Sequence, residues 1–233
     1  MKQLQELAQR VPALVALIDE LTKRTLARSL WLAWRSRLNG FYSRRGGRAS
    51  AGRIYIDAFL HAHAAECRGR FLEFGDAYYR RMFRPEQIER YDVLGVAPGR
   101  GVTIVGDIQQ CPQISDNSFD VIVCTQVLEH VPNPFLAVSE LHRMLKPGGI
   151  LLLTVPAAFP YHADPQDYWR FSRDSLKLLF SSTFRDLEIK GCGNRLVVTA
   201  AYWFWDANQL PERAIQAHDA DTPLLLTLVG KKA

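Results

Sequence analysis

Apolar residues are spaced in two different ways along this chain of 233 residues. Near the N-terminus they recur at helical intervals. Leu26, Leu30, Trp34 and Leu38 stand four apart on one helical face, with Arg24, Arg28 and Arg35 on another. Asn39-Gly40 ends that helix, a basic, glycine-containing loop follows over Ser43 to Gly52, and a second helix is expected from Ile54 to Glu66. From Arg70 the texture changes. Short apolar runs alternate with helical stretches, which is the pattern of a parallel sheet covered by helices. A basic helical extension over residues 1–65 and an α/β domain over 66–233 follow.

Within that domain, Arg70 to Gly75 and Tyr91 to Val96 read as strands, and Phe119 to Thr125 is apolar enough for a central strand buried on both faces. A helix follows. Asn133 caps it, Pro134 suits its first position, Phe135, Val138, Leu141 and Leu145 form its apolar stripe, and Lys146-Pro147-Gly148-Gly149 stops it. Ile150 to Val155 is the next buried strand, closed by Pro156. A long loop runs to Phe171, Ser172 caps a helix through Phe180, and Phe184 to Lys190 is a strand. Asn194 to Asn208 reads as an apolar helix and Leu224 to Val229 as the last strand. One link strains the scheme. Only five residues separate Val96 from Val102, too few for a helical crossover, so Val102 to Val105 is either an extended return or a sign of unusual sheet order.

Composition narrows the classes. Apolar residues at 48% and charged residues at 23% are those of a globular protein, not a disordered one. No run approaches the roughly 18 to 20 apolar residues of a membrane span. The first ten residues, with Glu6 among them, lack the layout of a secretory signal. A cytoplasmic location is the resulting expectation. The cysteines Cys67, Cys111, Cys124 and Cys192 form no C-x-x-C pair, so no metal site is expected. The net charge of +5 is unevenly spread: between Glu20 and Asp57 there is no acidic residue. That stretch points to an anionic neighbour, with an anionic membrane touched peripherally ahead of nucleic acid, for which no recognition module is visible.

The chemistry concentrates in Gly106 to Pro156. It holds, in order, G-D-I, then S-F-D-V-I-V-C-T-Q-V-L-E-H-V, then L-K-P-G-G-I-L-L-L-T-V-P. At this spacing the segment resembles the type 11 branch of class I S-adenosylmethionine (SAM)-dependent methyltransferases, and the resemblance extends over roughly Arg70 to Gly230. It implies a Rossmann-like, doubly wound, mostly parallel α/β sheet with the cofactor at the carboxyl ends of the strands. It also implies roles. Glu73, Gly75 and Asp76 would form the turn under the methionine part of SAM. Asp107 and the backbone of Ile108 would meet the adenine. Gln126, Glu129 and His130 would face the sulfonium and the acceptor.

Two departures from the family pattern stand out. The turn Glu73-Phe74-Gly75-Asp76-Ala77-Tyr78-Tyr79 keeps only the first of three glycines, and the second strand ends in Gly95-Val96-Ala97-Pro98 where the family places a ribose-binding acid. Losing such charged hydrogen bonds costs about 1.5–3 kcal/mol each.

Acceptor chemistry is expected in the loop Pro156 to Phe171. Its residues His162, Pro165, Asp167, Tyr168, Trp169, Arg170 and Phe171 resemble an H-x-x-P-x-D-Y-W-R-F segment of methyltransferases associated with glycan and glycolipid assembly. His162, Asp167 or His130 could act as base toward a hydroxyl. Tyr168 and Trp169 could stack on a sugar face, and Arg170 could hold an anion. Asp167 and Arg170 read equally well as a pair that braces the loop. The expected function is methyl transfer from SAM to a hydroxyl of a sugar, glycan or related metabolite. Two alternatives stay open: a noncatalytic domain of the same fold, and methylation of a small-molecule carboxylate or amine.

Overall fold

The computed structural model describes residues 50–163, 166–202, 207 and 210–233. The basic helix around Leu26, Leu30, Trp34 and Leu38, the position Pro165, and the end of the Asn194 to Asn208 helix lie outside them. The strands are β1 (Gly69–Phe74), β2 (Ile88–Gly95), β3 (Ile104–Val105), β4 (Phe119–Thr125), β5 (Leu145–Pro156), β6 (Phe184–Cys192) and β7 (Leu225–Lys232). They form one seven-stranded sheet in the order β3-β2-β1-β4-β5-β7-β6. β7 runs antiparallel to both of its neighbours, and the remaining pairings are parallel. This is the expected doubly wound, mostly parallel sheet. Strand order reverses between β1 and β4, so the crevice at their carboxyl ends is where such folds bind ligands.

The core lies on the faces of β4 and β5. Val121, Ile122, Val123 and Cys124 are all buried, as a strand covered on both sides requires. The helices are α1 (Ala51–His63), α2 (Pro134–Met144), α3 (Arg173–Phe180), α4 (Arg195–Tyr202) and α5 (Glu212–Gln216). Asn133 caps α2 by accepting from the amides of Phe135 and Leu136, and Pro134 occupies its first turn. Its buried stripe is Ala137, Val138, Leu141 and Met144; Phe135, expected in that stripe, is 57% exposed. Phe135 precedes Ala137 by two positions and so points about 200° round the helix from it. Ser172 and Ser175 form the reciprocal cap of α3. Helix α1, assigned from sequence to the N-terminal extension, buries Tyr55, Ile56 and Leu60 and packs against β7 and the turn after β1.

The strained link has a simple resolution. β3 is two residues long and pairs parallel to β2 as Leu94 with Ile104 and Gly95 with Val105. The chain has only to step back a short way along β2, so a loop suffices where a full strand would need a helix. The connection from β1 to β2 is also helix-poor, carrying two 3-10 turns, Tyr78–Met82 and Pro85–Gln87. Among the described residues no helix is long and apolar enough to cross a membrane.

Candidate active site

Two cavities open at the carboxyl ends of the strands and share Phe74, Gly75, Thr125 and Gln126. The first, about 440 Å³, lies over β2, β3 and β4, with Gly95, Val96, Asp107, Ile108 and His130 among its walls. The second, about 680 Å³, lies toward α1 and the loop after β5, where Arg53, Glu73, Tyr79, Phe159 and His162 line it. The seam between them is the turn after β1 and the turn after β4.

Gly75 sits at that seam with φ +81, and a side chain built on it would enter open space. Both facts favour glycine: the backbone conformation excludes most residues, and the missing Cβ leaves room for a ligand against the main chain. Its amide donates to the carbonyl of Leu94, which ties the turn to β2. Asp76 turns its carboxylate back to accept from the amide of Tyr78. Glu73, expected to hold a charged amine, is committed to the turn itself. It is buried and accepts from the amide of Tyr79 at 2.9 Å and from the Tyr91 hydroxyl at 2.6 Å. Burial outweighs those donors and pushes its carboxyl up to about 7. The donors to this acid are thus the backbone amide of Tyr79, which stands at the family's third glycine position, and the side chain of Tyr91 on β2.

Asp107 and Ile108 line the first cavity, Asp107 exposed and Ile108 buried. The Asp107 carboxylate accepts from the amide and side chain of Gln109, which fixes its direction at the cavity edge. At the end of β2, Val96 is 82% exposed and no acid takes the expected ribose-binding place. Asp92 is buried earlier on the strand between Arg70 and Arg90. Gln126 holds a left-handed backbone, φ 53, directly after β4, and its side chain donates to Thr154 on β5. A non-glycine residue in that conformation is uncommon, and such positions cluster at functional sites.

Between the two cavities, Glu129 and His130 in the turn after β4 converge with His162, with one ligating atom from each lying within 4.8 Å of the others. Glu129 is fully buried, its carboxyl pushed up to about 8 mainly by that burial. His130 is tied through Nδ1 to the Gln166 carbonyl at 2.7 Å. The His162 ring packs edge-on against His130 and Phe159, and burial holds its pKa below the usual imidazole value.

Asp167, a candidate base from sequence, has another task. Its carboxylate pairs with both terminal nitrogens of Arg170 at 2.5 and 2.7 Å and accepts from the amide of His162 at 2.9 Å. These donors hold its pKa far below the usual carboxylate range, Arg170 first among them, which makes it a poor proton acceptor. Arg170 also donates to the carbonyls of Phe159 and Pro160, so the pair braces the loop, and Arg170 is spent inside the protein rather than on an anion. Trp169 donates through its indole to the Val131 carbonyl, leaving the ring 41% exposed, and Tyr168 is 49% exposed. Neither Tyr168, Trp169 nor Arg170 is among the residues that line the two cavities, although the loop that carries them supplies Phe159 and His162.

Sequence reasoning overlooked Arg53. It falls in the acid-free stretch between Glu20 and Asp57, yet it lines the larger cavity, donates to the Tyr79 hydroxyl at 2.7 Å and stacks over Tyr78 at 4.3 Å. Ser50 caps α1 by accepting from the Arg53 amide. That serine four residues before an apolar helix face was the available signal that Arg53 belongs to a first helical turn.

Comparison with known proteins agrees with this geometry. Residues 75–153, about a third of the chain, match the family model described as "Methyltransferase domain". A human (Homo sapiens) thiol S-methyltransferase, TMT1B, is 38% identical over 72 residues, which is 31% of this chain and 26% of that protein. A ubiquinone biosynthesis O-methyltransferase of Xanthomonas oryzae pv. oryzae is 48% identical over 46 residues, 18% of this chain and 19% of its own length. The chain thus spans between a fifth and about a quarter of the curated relatives it matches. Among solved structures, a SAM-dependent methyltransferase from Archaeoglobus fulgidus superposes with a TM-score of 0.54 at 16% identity, covering 77% of this chain and 94% of that one. That likeness shows the fold: the sheet is the Rossmann-like sheet of class I methyltransferases.

Proposed function

We propose that this chain is a SAM-dependent methyltransferase acting on a hydroxyl of a sugar, glycan or related metabolite. The observation that carries the reading is Gly75: a left-handed glycine with open space on its Cβ side, at the seam of two cavities. SAM supplies an electrophilic methyl group, and one cavity for its nucleoside, a second for its acceptor and a narrow seam between them suit in-line transfer. Asp107 accepts from the adenine amino group while Ile108 packs against the ring. Gly95 and Val96 contact the ribose through backbone and apolar surface, in place of a carboxylate. Arg53, at the start of α1, faces the methionine carboxylate. The acceptor enters beside His162, and the Glu129, His130 and His162 cluster takes its proton.

Several features support the hydroxyl. The loop carrying His162 keeps the pattern of glycan-associated enzymes, and an already ionised carboxylate would need no base. The stretch without acids between Glu20 and Asp57 supports peripheral contact with an anionic membrane that presents the acceptor. The thiol and ubiquinone chemistry named for the relatives marks the rival nucleophiles, a sulfur and a phenol. A second reading, a domain of this fold without catalysis, is favoured by one observation: Val96 stands where an acid is expected.

The test is transfer of isotopically labelled methyl from SAM to matched acceptor panels: oligosaccharides and lipid-linked sugars, thiols, phenols, and carboxylates. The expected result is label on a sugar hydroxyl. Label on sulfur or carboxylate alone would overturn the acceptor, and tight SAM binding with no transfer to any panel would favour the second reading.

A further inference from the structure

We infer that Glu129, His130 and His162 bind a divalent transition-metal cation between the two cavities. Glu129 is fully buried, and neither of its carboxylate oxygens has a hydrogen-bond partner among the described residues. Its Oε1 stands 4.0 Å from Nε2 of His130. Nδ1 of His130 lies 2.7 Å from the Gln166 carbonyl, which only accepts, so Nδ1 carries the hydrogen and Nε2 of the neutral ring presents a lone pair. With the carboxyl ionised, a buried acceptor therefore faces another acceptor with no donor between them among the described residues. Such an arrangement is costly unless something positive fills it. A proton bridges one pair at most. A divalent cation satisfies the carboxylate and both imidazoles together.

The donor set selects the ion. Two imidazoles and one carboxylate suit zinc, cobalt, manganese or iron(II), whereas magnesium and calcium prefer oxygen alone. Ligand atoms bound at about 2.0–2.2 Å to one ion lie roughly 3–4 Å apart. The three groups here, all within 4.8 Å, need to contract by about 1 Å to meet it. The surroundings are built to hold them. The Gln166 carbonyl orients the His130 ring, as outer partners of metal-binding histidines do. The amides of Tyr168 and Trp169 donate to the Glu129 carbonyl, and Asp167 grips the His162 amide while Arg170 grips Asp167. The braced loop thereby holds His162 against the turn that carries Glu129 and His130.

Three protein ligands leave positions open toward the cavities. If the methyl-transfer reading holds, on which this last step rests, an acceptor hydroxyl bound at an open position is made more acidic and passes its proton to solvent water as its oxygen takes the methyl group, the three side chains then serving as ligands rather than as the base.

The test is a titration of the metal-stripped full chain with cobalt(II), read by ligand-field absorption and competed with zinc. SAM binding is measured calorimetrically on the same metal-free preparation. The two readouts are independent, so failure of the metal site is distinguishable from failure of the methyltransferase reading. One saturable cobalt site is expected. It should be displaced by zinc, at least about tenfold weaker in Glu129→Gln and in His162→Ala, and unchanged in His142→Gln on α2. Should Glu129→Gln fail to fold, His162→Ala in the loop carries the test alone. No cobalt binding up to millimolar, equal binding in His162→Ala, or a thiolate charge-transfer band from the cysteines would each overturn the site.

Discussion

The end of β1 and the turn after β4 lie side by side at the carboxyl edge of the sheet, and each carries a buried glutamate. They are otherwise opposites. Glu73 has a donor for each oxygen, the Tyr79 amide and the Tyr91 hydroxyl, whereas Glu129 has none among the described residues. Burial raises the pKa of both. The difference teaches where architecture ends and chemistry begins. A buried acid with its donors in place holds a turn together, and a buried acid that lacks them among the described residues is the one on which the proposed metal site rests.

The largest effect expected from disturbing this contrast is at Gly75. Gly75→Leu places a branched side chain at φ +81 and fills the seam, and SAM binding should fall below detection by calorimetry while the sheet core, far from the turn, keeps its circular dichroism. Next come the two acids. Tyr91→Phe strips one donor from Glu73 and should lower stability by about 1–3 kcal/mol in urea unfolding. Glu129→Gln in metal-free protein should cost less than about 1 kcal/mol, because the amide brings a donor to the Nε2 of His130. Equal losses would break the contrast.

Acidity gives a third handle. The Glu73 carboxyl titrates at about 7 in the folded chain and near the ordinary glutamate value of about 4.3 when unfolded. The folded state holds the proton more tightly, so this contribution is complete below the unfolded value and is lost as pH rises through 7. Stability should fall between pH 5 and pH 8, by roughly 3 kcal/mol at most from this group, and Glu73→Gln should flatten that slope. The smallest effect is at Asp107, where Asp107→Asn should weaken SAM binding by about tenfold, the worth of one charge-assisted hydrogen bond.

Much of this was legible in the sequence, for identifiable reasons. Phe119 to Thr125 is a strand buried on both faces, and continuous apolarity marks such a strand residue for residue. Asn133-Pro134 and Ser172 marked helix starts because capping is local chemistry. Gly75 and Gln126, singled out through the family resemblance, stand at strand ends on the seam, and Glu129 and His130 follow in the turn after β4. What escaped depends on contacts between distant residues. Arg53 reaches the cavity only because α1 packs beside β7 and the turn after β1, and nothing local to Arg53 reveals that. The commitment of Glu73 to Tyr91, 18 positions on, is equally invisible along the chain. Asp167 offered two readings from sequence, base or brace, and the bidentate pairing with Arg170 favours the brace.

The most direct test of the central claim, that the seam at Gly75 is a working cofactor site despite its tyrosines and its missing ribose acid, is calorimetric titration of the full chain with SAM and with S-adenosylhomocysteine. The account predicts one site per chain with micromolar affinity for both, abolished in Gly75→Leu. No heat of binding up to millimolar ligand, or binding that Gly75→Leu leaves intact, would contradict it.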